Sequence, residues 1–435
     1  MHTFICSNSW LDVGYGAWLQ EFLLKRCPVD LIIDNHAKRS FEVADVNTII
    51  SIVHAPQKKV DENHFVKFVA YKRPFEEIMF TEDLLIVENT KKVLANDGFR
   101  VYPISVKDLI DFGTEYENEN QEKLKSGKYI GDKWGGKYLR APDIFFTILE
   151  KGKDKLVKLG DIAKVSFGIK TGVNEFFYLD DEAIKKWGIE KDFLKPVIKS
   201  PRECRSILVD PKDLKYKIFI CNKSKEELNG TNALKYIEWG EKQKTKEGVY
   251  WKNVPSVSSR KFWWEASIQE FAFCSYPMIN NIRLIFFKNN FILNDANLVG
   301  IYPKKDFGNS LLVSLNSTYN MINMELMGIA NLGEGAIKQN PIYIKKSIII
   351  DPEIIPNYKV EPFFNREIYS IFEECGIDPK SETPIEEQEP KPLPDRAELD
   401  NIVFDALGLN NDERKEVYRS VCRLVWNRIS KAKSV

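Results

Sequence analysis

The chain contains no apolar run approaching the roughly 20 residues that span a bilayer, which excludes a membrane-embedded protein. It also has no excess of either charge. Its 63 Lys and Arg side chains balance 63 Asp and Glu, so a uniformly basic nucleic-acid surface is excluded and any basic surface must be local. Cysteine is sparse and scattered. The seven positions (Cys6, Cys27, Cys204, Cys221, Cys274, Cys375, Cys422) are odd in number and never spaced as CxxC. Neither a disulfide framework nor a zinc ribbon is indicated, and a reducing cytoplasm is the simplest setting. The four histidines (His2, His36, His54, His64) show no HxxxH or HExxH spacing, so they read as surface or packing residues rather than metal ligands. No basic segment followed by a long apolar stretch precedes Phe4-Ile5-Cys6, which excludes a signal peptide, and no internal repeat is visible. What remains, 435 residues with 43% hydrophobic and 29% charged side chains, is enough for two to four ordinary domains.

Phe4 to Cys6 is β-prone, and after Gly16 the stretch AWLQEFLLKR places Trp18, Leu19, Phe22 and Leu23 at helical spacing until Pro28 stops it. Val29 to Ile33, Val46 to Val53 and Phe65 to Tyr71 then read as strands. This order resembles half of an open α/β sheet, a piece of a domain whose beginning lies elsewhere. Such sheets place a nucleotide loop after the first strand. Here Asn8 to Gly16 has two glycines but no third at the offset a dinucleotide fingerprint requires. Further along, Leu84 to Glu88 is strand-like, Ser105 to Phe112 and Asp143 to Glu150 are helical, and Glu115 to Lys133 is polar. A mixed region follows, with strand candidates at Lys164 to Phe167, Glu175 to Tyr178, Ile218 to Cys221, Ile282 to Phe287 and Ser347 to Ile350. Residues 380 to 394 combine Pro384, Pro390, Pro392 and Pro394 with glutamates and read as an exposed linker. Two amphipathic helices, Asp395 to Leu407 and Asn411 to Lys431, close the chain, split by Gly408.

Catalytic constellations are missing. Pro142-Asp143 with Glu150 and Lys153 superficially matches a metal-dependent nuclease core, but the acid and lysine are not in ExK order and the segment is helical. There is no GxSxG elbow and no Cys-His pairing. Three stretches suit nucleic acid instead. Gly168-Ile169-Lys170-Thr171-Gly172-Val173-Asn174 surrounds a lysine, a threonine and an asparagine with glycines, side chains apt for phosphate and base-edge contacts, the alternative being a plain hairpin turn. Arg260-Lys261-Phe262-Trp263-Trp264 sets cations beside flat rings, suited to stacking or equally to a core. Asn331-Leu332-Gly333-Glu334-Gly335-Ala336-Ile337-Lys338 is a second glycine loop with a lysine close behind.

FICSNSWL (Phe4 to Leu11), Leu31 to Asp34 and Ser40 to Thr48 resemble the last motifs of the catalytic domain of gamma-class N6-adenine DNA methyltransferases, most nearly the single-chain type IIG restriction–modification enzymes. GIKTGVNEFFYL (Gly168 to Leu179), KNNFILNDANLVGIYP (Lys288 to Pro303), LVSLNSTYNMINMELMG (Leu312 to Gly328) and LGEGAIK (Leu332 to Lys338) are similar to their target-recognition domain, and RAELDNIVFDALGL to their ending. The resemblance implies an α/β fold: an incomplete Rossmann-like methyltransferase sheet at the N-terminus, a mixed α+β recognition domain, and C-terminal helices. It divides the chain into residues 1–75 (the C-terminal part of the catalytic domain), 76–155 (a partly helical connector), 156–379 (target recognition), 380–394 (the linker) and 395–435 (the helices). In that family, S-adenosylmethionine sits in a glycine loop and an Asn/Asp-Pro-Pro-Tyr/Phe tetrapeptide holds the adenine. Neither occurs in this chain, so it is expected to be the C-terminal portion of such an enzyme, to hold no cofactor alone, and to need an N-terminal catalytic half. Phe41 matches the aromatic that stacks on the flipped adenine. Double-stranded DNA is the implied partner, with base-edge or backbone contacts expected from Lys170, Thr171, Asn174, Arg260, Lys261, Trp263, Lys288, Asn289, Asn294, Gly333, Gly335 and Lys338. A scaffold subunit that touches no DNA, or an inactive gene remnant, is the alternative.

Overall fold

The computed structural model describes residues 1–12, 14–37, 48–116, 126–266, 270–289, 291–329, 335–356 and 361–433. It separates into two units, residues 1–147 and 148–433, with all seven cysteines free. Among the described residues no helix is long and apolar enough to cross a membrane.

The first unit is built on a six-stranded sheet: β1 (His2–Ser7), β2 (Val29–Asn35), β3 (Thr48–Val53), β4 (Phe65–Tyr71), β5 (Leu94–Ala95) and β6 (Phe99–Ser105), in the order β1-β3-β2-β4-β6-β5. Only β2 and β4 run parallel; the other pairs are antiparallel. Side chains alternate along each strand, so Ile32 and Phe68 enter one core with Trp10, Leu24 and Trp134, while Ile33, Val69 and Val101 enter another with Tyr71 and Phe99. Helix α1 (Gly16–Arg26) forms as its spacing predicts. Gly16 is obligatory, because a Cβ there would stand 1.8 Å from the Trp10 carbonyl oxygen. Two expectations give way. The boundary at residue 75 falls inside one sheet, since β4 pairs with β6 along its whole length. Leu84 to Glu88 lies in helix α2 (Thr81–Asn89), where only Val87 is buried, and a short apolar run of this kind does not by itself distinguish strand from helix.

Helix α3 (Asp143–Lys151) carries the division between the units. The second unit contains two four-stranded sheets. One has the antiparallel order β7 (Ala163–Phe167), β14 (Leu298–Pro303), β10 (Cys274–Pro277), β12 (Phe287–Lys288). The other has the order β8 (Tyr178–Leu179), the strand Lys217–Phe219, β9 (Leu194–Ile198) and β13 (Leu293–Asn294), the last pair parallel. A short ribbon, β11 (Ile279–Asn280) with β15 (Ile337–Lys338), stands apart from both. Glu175 to Tyr178, expected as strand, is a helical turn Asn174–Phe177 followed by β8, and of Ile282 to Phe287 only the last residue enters a strand. Rings knit the core here: Phe176 stacks on Tyr236 at 4.8 Å and tilts against Trp263 at 4.5 Å.

The closing helices, α4 (Pro394–Leu407) and α5 (Asn411–Lys433), are split by Gly408 at φ +70° as the sequence predicts. They belong to the second unit rather than standing alone. Buried Arg396 donates to Glu374 and to the Asn316 carbonyl, and Asp400 accepts from both the backbone and the hydroxyl of Thr318. Segment 380–394 is no free linker. Ile385 is buried, Glu389 pairs with Lys415 at 2.7 Å, and the Gln388 carbonyl accepts from Arg419.

Candidate nucleic-acid interface

The loop Gly168 to Val173 leaves the end of β7 and is fixed on both sides. A Cβ on Gly168 would fall 2.3 Å from the Asp295 carbonyl oxygen, and Gly172 adopts φ +82°. Both positions therefore require glycine. The Ile169 N–H donates to the Asn294 carbonyl at 2.7 Å, and the Ile169 carbonyl accepts from Ala296. Arg260 reaches across and donates to the carbonyls of Lys170 (3.0 Å) and Thr171 (2.9 Å), with further bonds to the Ser256 and Glu265 carbonyls. Its guanidinium also covers the Phe177 ring at 5.5 Å. Burial lowers its pKa, with Glu265 acting in the opposite sense, but the group remains a cation at neutral pH.

The effect is a rigid loop with selected groups turned out. The Lys170 side chain is exposed. Thr171 is buried and its hydroxyl bonds the Asn174 Oδ1 at 2.5 Å, which leaves the exposed Asn174 amide its nitrogen as donor. Beneath, Tyr178 donates a short hydrogen bond to buried Asp295, and burial beside that carboxylate drives the phenol pKa far up.

The expected residues thus divide. Lys261 and Lys338 are exposed, the latter on β15 opposite Ile279. Lys288 is half-buried, with its ammonium 5.5 Å from the Phe273 ring. Trp263 is not a stacking surface: it packs in the aromatic core at 7% exposure. Arg260 is a brace rather than an outward cation, because four of its donors are spent on carbonyls. Asn289 and Asn294 are buried, bonded to each other at 2.6 Å and both to the Ser275 hydroxyl. Gly335 sits at φ +67° with its carbonyl bonded by Arg428. Phe41 and Gly333 lie outside the described residues.

Three features were not foreseen. Arg428 and Glu325 form a buried ion pair with contacts of 2.8 and 3.0 Å, and the same guanidinium bonds the carbonyls of Gly335 and Asn281. In the first unit, buried Arg100 donates to the carbonyls of Ala141, Tyr138 and Leu139 and to Asp143. The third is Phe291, an exposed ring on a backbone with positive φ. Distance in sequence hides the first two, since each arginine meets partners dozens of positions away.

The turn after β1 is held by side-chain hydrogen bonds. The Gln20 amide bonds the carbonyls of Trp10 and Leu11, and the Asp12 carboxylate binds the Gly136 N–H and Arg140. These groups are committed internally. Among the described residues no group of three or more His, Cys, Asp or Glu could hold a metal ion.

The family model for the C-terminal domain of the type II methyltransferase M.Eco57I matches residues 131–367, more than half of the chain. Among solved structures the chain is similar to the type IIG restriction endonuclease BpuSI, at 13% identity and a TM-score of 0.49 over 99% of this chain and 47% of that one. It spans about half the length of that protein. No curated protein sequence matches it.

Proposed function

The chain belongs to the family of the C-terminal domain of the type II methyltransferase M.Eco57I, and on that premise we propose that it reads DNA sequence for an adenine-specific, S-adenosylmethionine-dependent methyltransferase of a restriction–modification system. The observation that carries this reading is the braced loop. Arg260 and two obligatory glycines hold Gly168 to Asn174 so that an ammonium and an amide project from a fixed backbone. Lys170, Lys261 and Lys338 contact phosphates, which supplies affinity without sequence information. Asn174 donates from its amide nitrogen to a base-edge acceptor in the major groove, such as guanine O6 or N7. Thr171 fixes that amide and Arg260 fixes the loop.

Methyl transfer requires more than these residues. The tetrapeptide that holds the adenine is absent from the 435 positions, so the cofactor and the amino group of the flipped adenine are held by a catalytic half, in another chain or another part of the protein. Phe41 stacks on the adenine once it leaves the duplex, offsetting part of the few kcal/mol that flipping costs. The edge of β1 suits attachment of that half. Phe4 and Ile5 are 54% and 49% exposed there, and an edge strand offers backbone donors and acceptors to an incoming strand.

A binding titration on random duplex at several salt concentrations tests the reading. Affinity should fall steeply with salt; a chain that binds no duplex at low salt is a scaffold subunit instead. Mixing with the catalytic half should restore methylation. Methylation by the isolated chain with S-adenosylmethionine would contradict the division of labour.

A further inference from the structure

Phe291 is the single non-glycine residue, among those described, with a positive φ, +57°. It is also 78% exposed. The left-handed region crowds Cβ against the backbone, and a largely exposed phenyl ring gains little from burial, so the position carries two costs with little packing return. The neck beneath it is nonetheless firmly built. Buried Asn289 donates to Asn294 at 2.6 Å and to Ser275 at 3.0 Å, and Asn294 donates to Ser275 at 2.7 Å, closing the loop between β12 and β13.

Strand register shows what surrounds the ring. Beyond the β10–β12 pairing, the rings of Phe271 and Phe291 lie 5.8 Å apart, edge to face. Exposed Lys304 directly follows β14, and its N–H donates to the carbonyl of Ile162, the residue before β7. In the next row the Lys164 ammonium lies 5.4 Å from the Tyr302 ring. Glu270 meets Lys164 at 3.7 Å, but both side chains are largely exposed, so the pair is weak. One end of the sheet therefore interleaves aromatic rings with ammonium groups, the combination that stacks bases while holding their phosphates.

We infer that this end of the sheet is a platform for a nucleobase that has left the duplex stack, with Phe291 the ring that takes its place and Lys164 and Lys304 on the flanking phosphates. The strained backbone then serves to project the ring as a wedge, since such wedges enter at unstacked steps. The inference rests on the DNA-reading function above. The flanking lysines favour a polyanion over an apolar protein surface.

The test compares the full chain on two duplexes of the same random sequence, one fully paired and one with a single bulged adenine. The native chain should prefer the bulged duplex by about tenfold. Phe291→Ala should abolish that preference while leaving affinity for the paired duplex unchanged, and Phe291→Trp should keep it. Phe291→Gly relieves the backbone, so it should lose the preference without any fall in melting temperature. A Phe291→Ala chain that still prefers the bulge, or a native chain with no preference, would overturn the platform while leaving DNA reading intact. No binding to either duplex overturns both. If Phe291→Ala instead abolishes association with the catalytic half and leaves DNA preference untouched, the ring is a protein contact and the inference fails.

Discussion

Arg260 and Arg428 each hold a glycine segment of the second unit, in opposite electrostatic settings. Arg428 lies in a buried pair with Glu325 and ties the carbonyls of Gly335 and Asn281 to the closing helix. Among the described residues Arg260 has no carboxylate in ion-pair contact: its bonds run to four carbonyls, two of them in the Lys170–Thr171 loop. A buried pair is costly to break because the survivor remains an uncompensated charge. A carbonyl clamp leaves only neutral acceptors behind. Arg428 is thus a folding element and Arg260 a loop element, a distinction that adjacent sequence does not reveal.

Substitution should separate them. Arg428→Met should destabilise the chain by about 3–5 kcal/mol in urea unfolding, and Arg428→Met with Glu325→Leu should recover much of the loss. Arg260→Met should cost less, about 1–3 kcal/mol, while weakening DNA binding more than Lys261→Ala does. Arg260→Lys should not rescue it, since one ammonium cannot serve carbonyls in several directions. If the two arginines cost the same, the contrast drawn here fails.

Smaller effects sharpen it. Lys338→Ala should weaken binding to all sequences and lower the salt slope by about one unit, whereas Asn174→Ala should reduce the advantage of preferred over random DNA. Equal effects of the two on both DNAs would count against the roles assigned. Acid should act on a third arginine site. Burial raises the Glu374 carboxyl, but hydrogen bonds from Arg366 and the charge of Arg396 outweigh it and hold the group below its ordinary 4.5. Asp395 is likewise lowered by Arg366 against the effect of its burial. Because the unfolded chain binds these protons more readily, their stabilisation is complete above the ordinary carboxylate range and is lost as pH falls through the depressed values. Melting temperature should therefore drop below about pH 4.5, less steeply in Arg366→Met.

Much of the local structure was legible in sequence. Helix α1, the strands β2 to β4 and the helix break at Gly408 follow from spacing, Pro28 and a glycine stop, all short-range signals. Strand pairing was not: β2 beside β4, and β4 beside β6, depend on contacts across the sheet. Within the interface the loop Gly168 to Asn174 was found by its glycines. The sequence points Arg260 and Trp263 at DNA and the structure turns both inward, because a cation beside rings reads alike whether it braces a core or faces solvent. Phe291 gave only the turn tendency of the asparagines before it, which mark a loop but not the ring at its tip.

The central claim is that the Arg260-braced loop reads DNA. Its most direct measurement is the affinity of the full chain for random duplex across a salt series, native against Lys170→Ala. The account predicts salt-dependent binding whose log–log slope falls by about one unit in the variant. Absence of binding at low salt, or identical slopes, would contradict it.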